Sequence, residues 1–127
     1  MKSDAKHVVL VAGGAGYIGS HVVRALMGAY TPVVLDNLST GHKCLIPEGI
    51  AFENCDVRNA DAVAEILKKY KIEIVVHLCA ASLVGESVKN PLKYFDNNVT
   101  GAIGLLRAME MAGVHALVFS STAAVYG

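Results

Sequence analysis

Three glycines, Gly13, Gly16 and Gly19, stand between an apolar run, Val8–Val11, and a stretch with helical periodicity. That arrangement constrains the fold more than any other feature of the chain. The apolar run reads as a strand buried on both faces. The G-x-x-G-x-x-G spacing then asks for a tight strand-to-helix turn. The first glycine makes the turn, the second lets backbone approach a pyrophosphate, and the third lets the helix pack on the strand. The helix begins near Tyr17, with Tyr17, Ile18, Val22, Ala25 and Leu26 on its apolar side. Its N-terminus offers unpaired N–H groups and a positive dipole end to phosphate.

A second short apolar strand, Pro32–Leu35, ends on Asp36. An acid about 20 residues beyond the glycines is where such folds bind the adenosine ribose. A carboxylate there accepts both ribose hydroxyls and repels a 2′-phosphate, so the expected cofactor is NAD rather than NADP. Asp36 can also cap the turn Asp36-Asn37-Leu38-Ser39; the glycines upstream favour the cofactor role.

The remaining chain alternates strands and helices: a strand at Ile50–Cys55, a helix at Ala60–Lys71, a strand at Glu73–Leu78, a long helix at Leu92–Ala112 and a strand at His115–Phe119. Such alternation predicts an α/β fold with a parallel sheet, right-handed crossovers and helices on both faces. Strand ends line the ligand crevice in that architecture. Asp56 is therefore expected either to accept from an adenine amino group, with Val57 on the ring, or to sit favourably near a helix N-terminus. Small residues in the run Leu78, Cys79, Ala80, Ala81 and Ser82 let a ligand lie close to backbone. That loop is expected over the nicotinamide-side ribose and pyrophosphate. His77, within its strand, is read as structural.

The long helix is expected to bury Tyr94, Phe95, Val99, Ile103, Leu106 and Met109. Asn97 and Asn98 lie beside that stripe, and a buried asparagine needs partners. They either tie the loop after strand four or touch the cofactor. Ser120, Ser121 and Thr122 end the fifth strand, and at least one hydroxyl there is expected to serve the site rather than loop backbone.

Composition excludes several alternatives. The 127 residues, 54% hydrophobic with eleven basic and eleven acidic side chains, suit one domain over residues 1–127. Zero formal charge gives no reason to expect nucleic acid or a membrane as partner. The polar opening Met1–His7 lacks a signal-peptide pattern, and no run is long enough to span a bilayer. Cys44, Cys55 and Cys79 show no metal-binding or disulfide spacing. Reduced thiols in the cytoplasm are the expected state.

Five segments carry a resemblance: Gly13–His21, Leu35–Ser39, Val84–Val88, Pro91–Gly101 and Phe119–Gly127. The chain resembles the N-terminal part of the extended short-chain dehydrogenase/reductases, a Rossmann-type doubly wound parallel sheet, here truncated after the fifth strand. Within them it is most similar to the UDP-glucose 4-epimerase family. The resemblance implies that Gly13, Gly16, Tyr17, Ile18 and Gly19 hold the pyrophosphate. It gives Asp36, Asn37, Leu38, Ser39 and Thr40 to the adenosine ribose, and Asp56 and Val57 to the adenine. Leu78 to Ser82 line the inner cofactor loop, and Asn97 contacts the cofactor. Thr122 matches the catalytic Ser/Thr that hydrogen-bonds the sugar 4-hydroxyl of a UDP-hexose.

Two departures qualify that expectation. Ser82 stands where many such enzymes carry lysine. The family's general base, the tyrosine of a Tyr-x-x-x-Lys motif, lies beyond Gly127, and Tyr126 is not that residue. Loss of an acid–base step costs about 10²–10⁴-fold, so the chain alone is expected to bind NAD without useful epimerase activity. A homodimer, or self-association through an exposed edge strand, is the expected contact between copies. Two alternatives stay open: an NAD-binding module without catalysis, and another sugar-nucleotide epimerase or dehydratase. Thr122-Ala123-Ala124 supplies none of the acids a dehydratase needs beside its threonine.

Overall fold

The computed structural model describes residues 4–126; Met1–Ser3 and Gly127 lie outside the described residues. Five strands form one parallel sheet in the order β3-β2-β1-β4-β5. They are β1 (Val8–Ala12), β2 (Thr31–Asp36), β3 (Ala51–Asn54), β4 (Ile74–His77) and β5 (Ala116–Phe119). Leu10 lies opposite Val33 on one side and Val75 on the other. The chain walks outward from β1 to β3, then returns to the far side of β1 for β4 and β5. The order therefore reverses beside β1, and the crevice at the strands' carboxyl ends opens there.

The central strands are largely apolar because both faces are covered. Leu10, Ala12, Val33, Leu35 and Val75 pack beneath α2 (Ala60–Lys69) and α5 (Gly101–Ala112), against Val63, Leu67, Leu105, Ala108 and Met109. Val9, Val11 and Val34 pack on the opposite face against Val23 of α1 (Tyr17–Leu26). This is the doubly wound Rossmann-type sheet expected from the alternation. Asn59 caps α2 by accepting from the Ala62 N–H at 3.2 Å. Gly113, at φ 71°, closes α5 in the left-handed conformation that glycine adopts without steric cost.

Two expectations about helices need correction. In α1 the buried residues are Gly19, Ser20 and Val23, whereas Tyr17 and Ile18 are exposed and Val22 and Leu26 only half-buried. The first turn of α1 projects past the sheet at the crevice, so its apolar side chains have no layer to pack on.

The second correction concerns the long helix. It is built in pieces: α3 (Val84–Lys89), α4 (Pro91–Tyr94), a wider π-helical turn at Phe95–Thr100, and α5. Its buried residues are Gly101, Gly104, Leu105, Ala108 and Met109. Of the stripe expected from sequence only Met109 is buried; Phe95 is 64% and Leu106 51% exposed. The π turn shifts the phase of the helix. Small residues then mark the inner face, because α5 lies directly on the loop after β3. A Cβ at Gly104 would stand 2.4 Å from the Val57 carbonyl oxygen.

That contact makes a prediction. Gly104→Ala should lower stability by about 1–3 kcal/mol through overpacking. Gly85→Ala, in α3 with nothing near its added Cβ, should raise it by about 0.4–1 kcal/mol. Urea midpoints of the two variants check the contrast.

Candidate functional site

The turn after β1 is held mainly by backbone. The Gly13 N–H donates to the Leu35 carbonyl at 2.8 Å, and the Gly16 N–H returns to Gly13 at 3.2 Å. Gly13 has φ 87°, and a Cβ there would lie 2.7 Å from the Leu78 carbonyl carbon and oxygen. A Cβ at Gly19 would lie 2.0 Å from the Gly13 oxygen, so that glycine roots α1 on the turn. Gly16 begins α1 without a side-chain cap, and no acid sits in the first turn. The uncapped end suits an anion.

Asp36 is buried at the end of β2. Its Oδ2 accepts from the Ala15 N–H at 3.0 Å and its Oδ1 from the Leu38 N–H at 2.8 Å. The carboxylate thus caps its own turn and ties it to the glycine turn. Each oxygen retains acceptor capacity for a hydroxyl. Asn37 accepts from the Ser39 N–H at 3.0 Å, and Ser39 and Thr40 are exposed beside the turn. Leu38, at φ 59°, holds a left-handed conformation unusual for its type.

Asp56 is differently occupied. Oδ1 accepts from the Arg58 backbone N–H at 2.9 Å and from Arg58 Nε at 3.0 Å; Oδ2 accepts from Arg58 Nη2 at 2.8 Å and Asn37 Nδ2 at 3.1 Å. Arg58 holds this carboxyl well below the usual carboxylate range. Val57 packs its side chain against Gly101 and within the core, with only 8% of the residue exposed.

The loop after β4 passes against Gly13. Leu78 donates to the Ala12 carbonyl at 2.8 Å. Burial pushes the Cys79 thiol up to about 12, with the Asp36 and Asp56 charges adding to the effect, so it stays protonated. Ala80 and Ser82 are exposed. Asn98 grips Ala81 twice, accepting from its N–H at 2.8 Å and donating to its carbonyl at 2.9 Å. Asn97 donates to Asn98 Oδ1 at 2.9 Å. The loop-tying role foreseen for these asparagines thus falls to Asn98. Thr122, exposed beyond β5, accepts from the Ala124 N–H at 3.1 Å.

The structure therefore gathers Gly13–Gly19, Asp36–Thr40, Asp56 and Leu78–Ser82 along the carboxyl ends of four adjacent strands. Two features went unread in the sequence. The loop after β2 folds over the glycine turn, where the His42 N–H donates to the Ala15 carbonyl at 3.0 Å. Arg58 also bonds Asp96 of the π turn. The sequence signal for the second was an arginine two residues after Asp56. Among the described residues no helix is long and apolar enough to cross a membrane.

A glycine turn at the sheet's reversal point, feeding an uncapped helix with a buried acid one strand away, belongs to the dinucleotide-binding Rossmann class. Comparison with known proteins narrows the class. The NAD dependent epimerase/dehydratase family model matches residues 9–127, and the chain belongs to that family. It is 55% identical over 120 residues to UDP-glucose 4-epimerase of Lactobacillus helveticus, covering 94% of this chain and 36% of that protein. The crystal structure of UDP-glucose 4-epimerase from Brucella ovis in complex with NAD superposes with TM-score 0.90 at 43% identity, over 95% of this chain and 37% of that one. UDP-glucose 4-epimerase from Stenotrophomonas maltophila, with bound NAD and formylated UDP-arabinopyranose, gives TM-score 0.90 at 41% identity, over 95% and 38%. The chain spans about a third of the length of the relatives it matches.

His77 supplies a pH test beside this site. Its ring is buried against Phe119 at 4.9 Å, and neither nitrogen has a hydrogen-bond partner among the described residues. Burial holds its pKa below the ordinary histidine value. The unfolded chain then binds more protons below about pH 6.5, and stability falls as pH drops, by at most about 1.4 kcal/mol per unit from this group. His77→Phe should flatten that dependence. Urea melts of both proteins between pH 7 and pH 5 measure the difference.

Proposed function

We propose that this chain binds NAD as the cofactor-binding part of a UDP-hexose 4-epimerase. The observation that carries the reading is the Gly13–Leu78 contact, which leaves a side-chain-free backbone cradle beside an uncapped helix end. A pyrophosphate suits the uncapped helix end in charge. NAD supplies the hydride acceptor and donor for chemistry at the sugar carbon.

The chain's own residues hold and orient. The start of α1 at Tyr17 and Ile18 receives the pyrophosphate on backbone N–H groups, and Gly13, Gly16 and Gly19 keep side chains out of the turn beside it. Asp36 accepts from the adenosine ribose, flanked by Asn37, Leu38, Ser39 and Thr40. Asp56 and Val57 bound the adenine pocket. Leu78, Cys79, Ala80, Ala81 and Ser82 form its inner wall, braced by Asn97 and Asn98. Thr122 donates to or accepts from the sugar 4-hydroxyl. Tyr126, 92% exposed on a turn, has no lysine beside it in the described residues and is not assigned as the base. By themselves these 127 residues, as one domain, bind the dinucleotide and do not turn over a UDP-hexose. We place the protein in the cytoplasm, in keeping with the free thiols Cys44, Cys55 and Cys79. All four residues of β5 are exposed at the sheet edge, which favours contact between copies.

Denaturing the purified chain should release close to one NAD(H) per protein. If none is released and added NAD⁺ does not bind, the reading is wrong. Asp36→Asn should weaken NAD binding by about 10- to 150-fold, since a hydrogen bond to a charged group contributes about 1.5–3 kcal/mol. The same change should narrow the preference over NADP, whose 2′-phosphate the carboxylate repels. Calorimetric titration with each dinucleotide checks both.

A further inference from the structure

Arg58 is the residue of the crevice that the family resemblance leaves without a role, and its geometry is specific. A guanidinium is planar with two donor edges. One edge, Nε and Nη2, grips Asp56, and the Arg58 backbone N–H joins the same carboxylate. The remaining Nη1 reaches Asp96. Asp96 sits in the π turn two residues before Asn98, whose amide holds both polar groups of Ala81. On the other side, Asp56 accepts from Asn37, at the end of β2.

A continuous belt of polar contacts results: Asn37, Asp56, Arg58, Asp96, and through the π turn Asn98 and Ala81. It runs from the loop after β2 to the loop after β4. Resting on the reading of this crevice as a dinucleotide site, its two ends are the adenosine end and the nicotinamide end. We propose that Arg58 is a positioning residue that couples these ends, so that filling the adenosine end fixes the Ala81 loop before the nicotinamide end is engaged.

Packing alone does not give this coupling. Gly104 already docks α5 closely on the Val57 and Arg58 backbone, and Gly101 docks it on the Val57 side chain. That contact sets where the helix lies. It does not fix the rotation of the π turn, which is where Asp96 is bonded. Asp56, with four hydrogen bonds, has no freedom to shift without moving Arg58. A ligand that displaces Asn37 or Asp56 therefore displaces Arg58, and Asp96 follows. Lysine cannot replace it, since a single ammonium has no second edge to reach Asp96 while gripping Asp56.

Amide hydrogen exchange on the 127-residue chain tests the coupling with ADP, which carries adenosine and pyrophosphate but no nicotinamide. In the parent chain ADP should slow exchange across Leu78–Ser82 by about fivefold or more, the low end of ordinary coupling between sites. In Asp96→Asn, ADP should still bind within about threefold of the parent affinity, yet the slowing should fall below about twofold. Arg58→Lys should lose the slowing as well. An Asp61→Asn control, exposed in the first turn of α2 and outside the belt, should keep it. Slowing that survives in Asp96→Asn, or is absent in the ADP-bound parent, overturns the proposal. If neither ADP nor NAD binds the parent, the dinucleotide reading itself fails, and ligand-free exchange then decides the belt. Asp96→Asn must speed exchange at Leu78–Ser82 by about threefold or more; unchanged rates overturn the belt too.

Discussion

The backbone of Gly13 lies directly on the backbone of Leu78 and Cys79, and the carboxyl end of the sheet is arranged around that contact. The Gly13 N–H bonds β2 through Leu35, while Leu78 bonds β1 through Ala12. Both neighbours of β1 are thus joined at the point where the strand order reverses. With 2.7 Å between a Cβ at Gly13 and the Leu78 carbonyl, no side chain is admissible there. Gly19 repeats the demand one helical turn later, against the Gly13 oxygen. A turn fixed by backbone on three sides has little freedom left to lose on binding, and such preorganisation lowers the cost of receiving a ligand. The crevice floor is therefore built into the fold rather than assembled by side chains.

Why some of this was legible in the sequence and some was not follows from the same physics. Val8–Val11, the three glycines and Asp36 are local requirements: each residue type answers a demand made within a few positions. The strand order and the doubly wound layers follow from alternation and handedness. The inner face of α5 was misread because it is marked by Gly101, Gly104 and Ala108 rather than by large apolar side chains. Hydrophobic periodicity weighs size, and close helix approach inverts that weighting. The π turn at Phe95–Thr100 then shifts the phase, which no residue in the segment announces. Asn98 was recognised as needing a partner but not assigned to Ala81, because that partner is seventeen residues away and set by tertiary packing. Arg58 and Asp96 were invisible for the same reason at larger separation.

The two aspartates of the crevice show how environment divides identical side chains. Asp36 is buried yet keeps acceptor capacity on both oxygens. Asp56 is more exposed but receives four hydrogen bonds, three of them from Arg58. In the sequence each follows an apolar strand; a ligand contact is expected at Asp36, and at Asp56 either an adenine contact or a place near a helix N-terminus. The structure supports a direct contact more readily at Asp36. At Asp56 any new bond must compete with an arginine fork already in place.

Exposure is distributed unevenly over the sheet, and the asymmetry bears on function. Strands β1 and β2 are sealed on both faces, with Val11, Ala12 and Val34 wholly inaccessible. Val118 and Phe119 on β5 are each 57% exposed, as are Val84, Val88, Leu92 and Phe95 along α3, α4 and the π turn at still higher fractions. The glycine turn and Asp36 stand on the sealed side, and the Ala81 loop stands at the boundary between the two. Apolar burial is the main favourable term in folding, so the glycine turn and Asp36 rest on the better-stabilised part of the molecule. Thr122, at the end of β5, rests on the part with the least. The two ends of the crevice thus rest on separable regions of one sheet. A change that loosens β5 reaches Thr122 before it reaches the glycine turn.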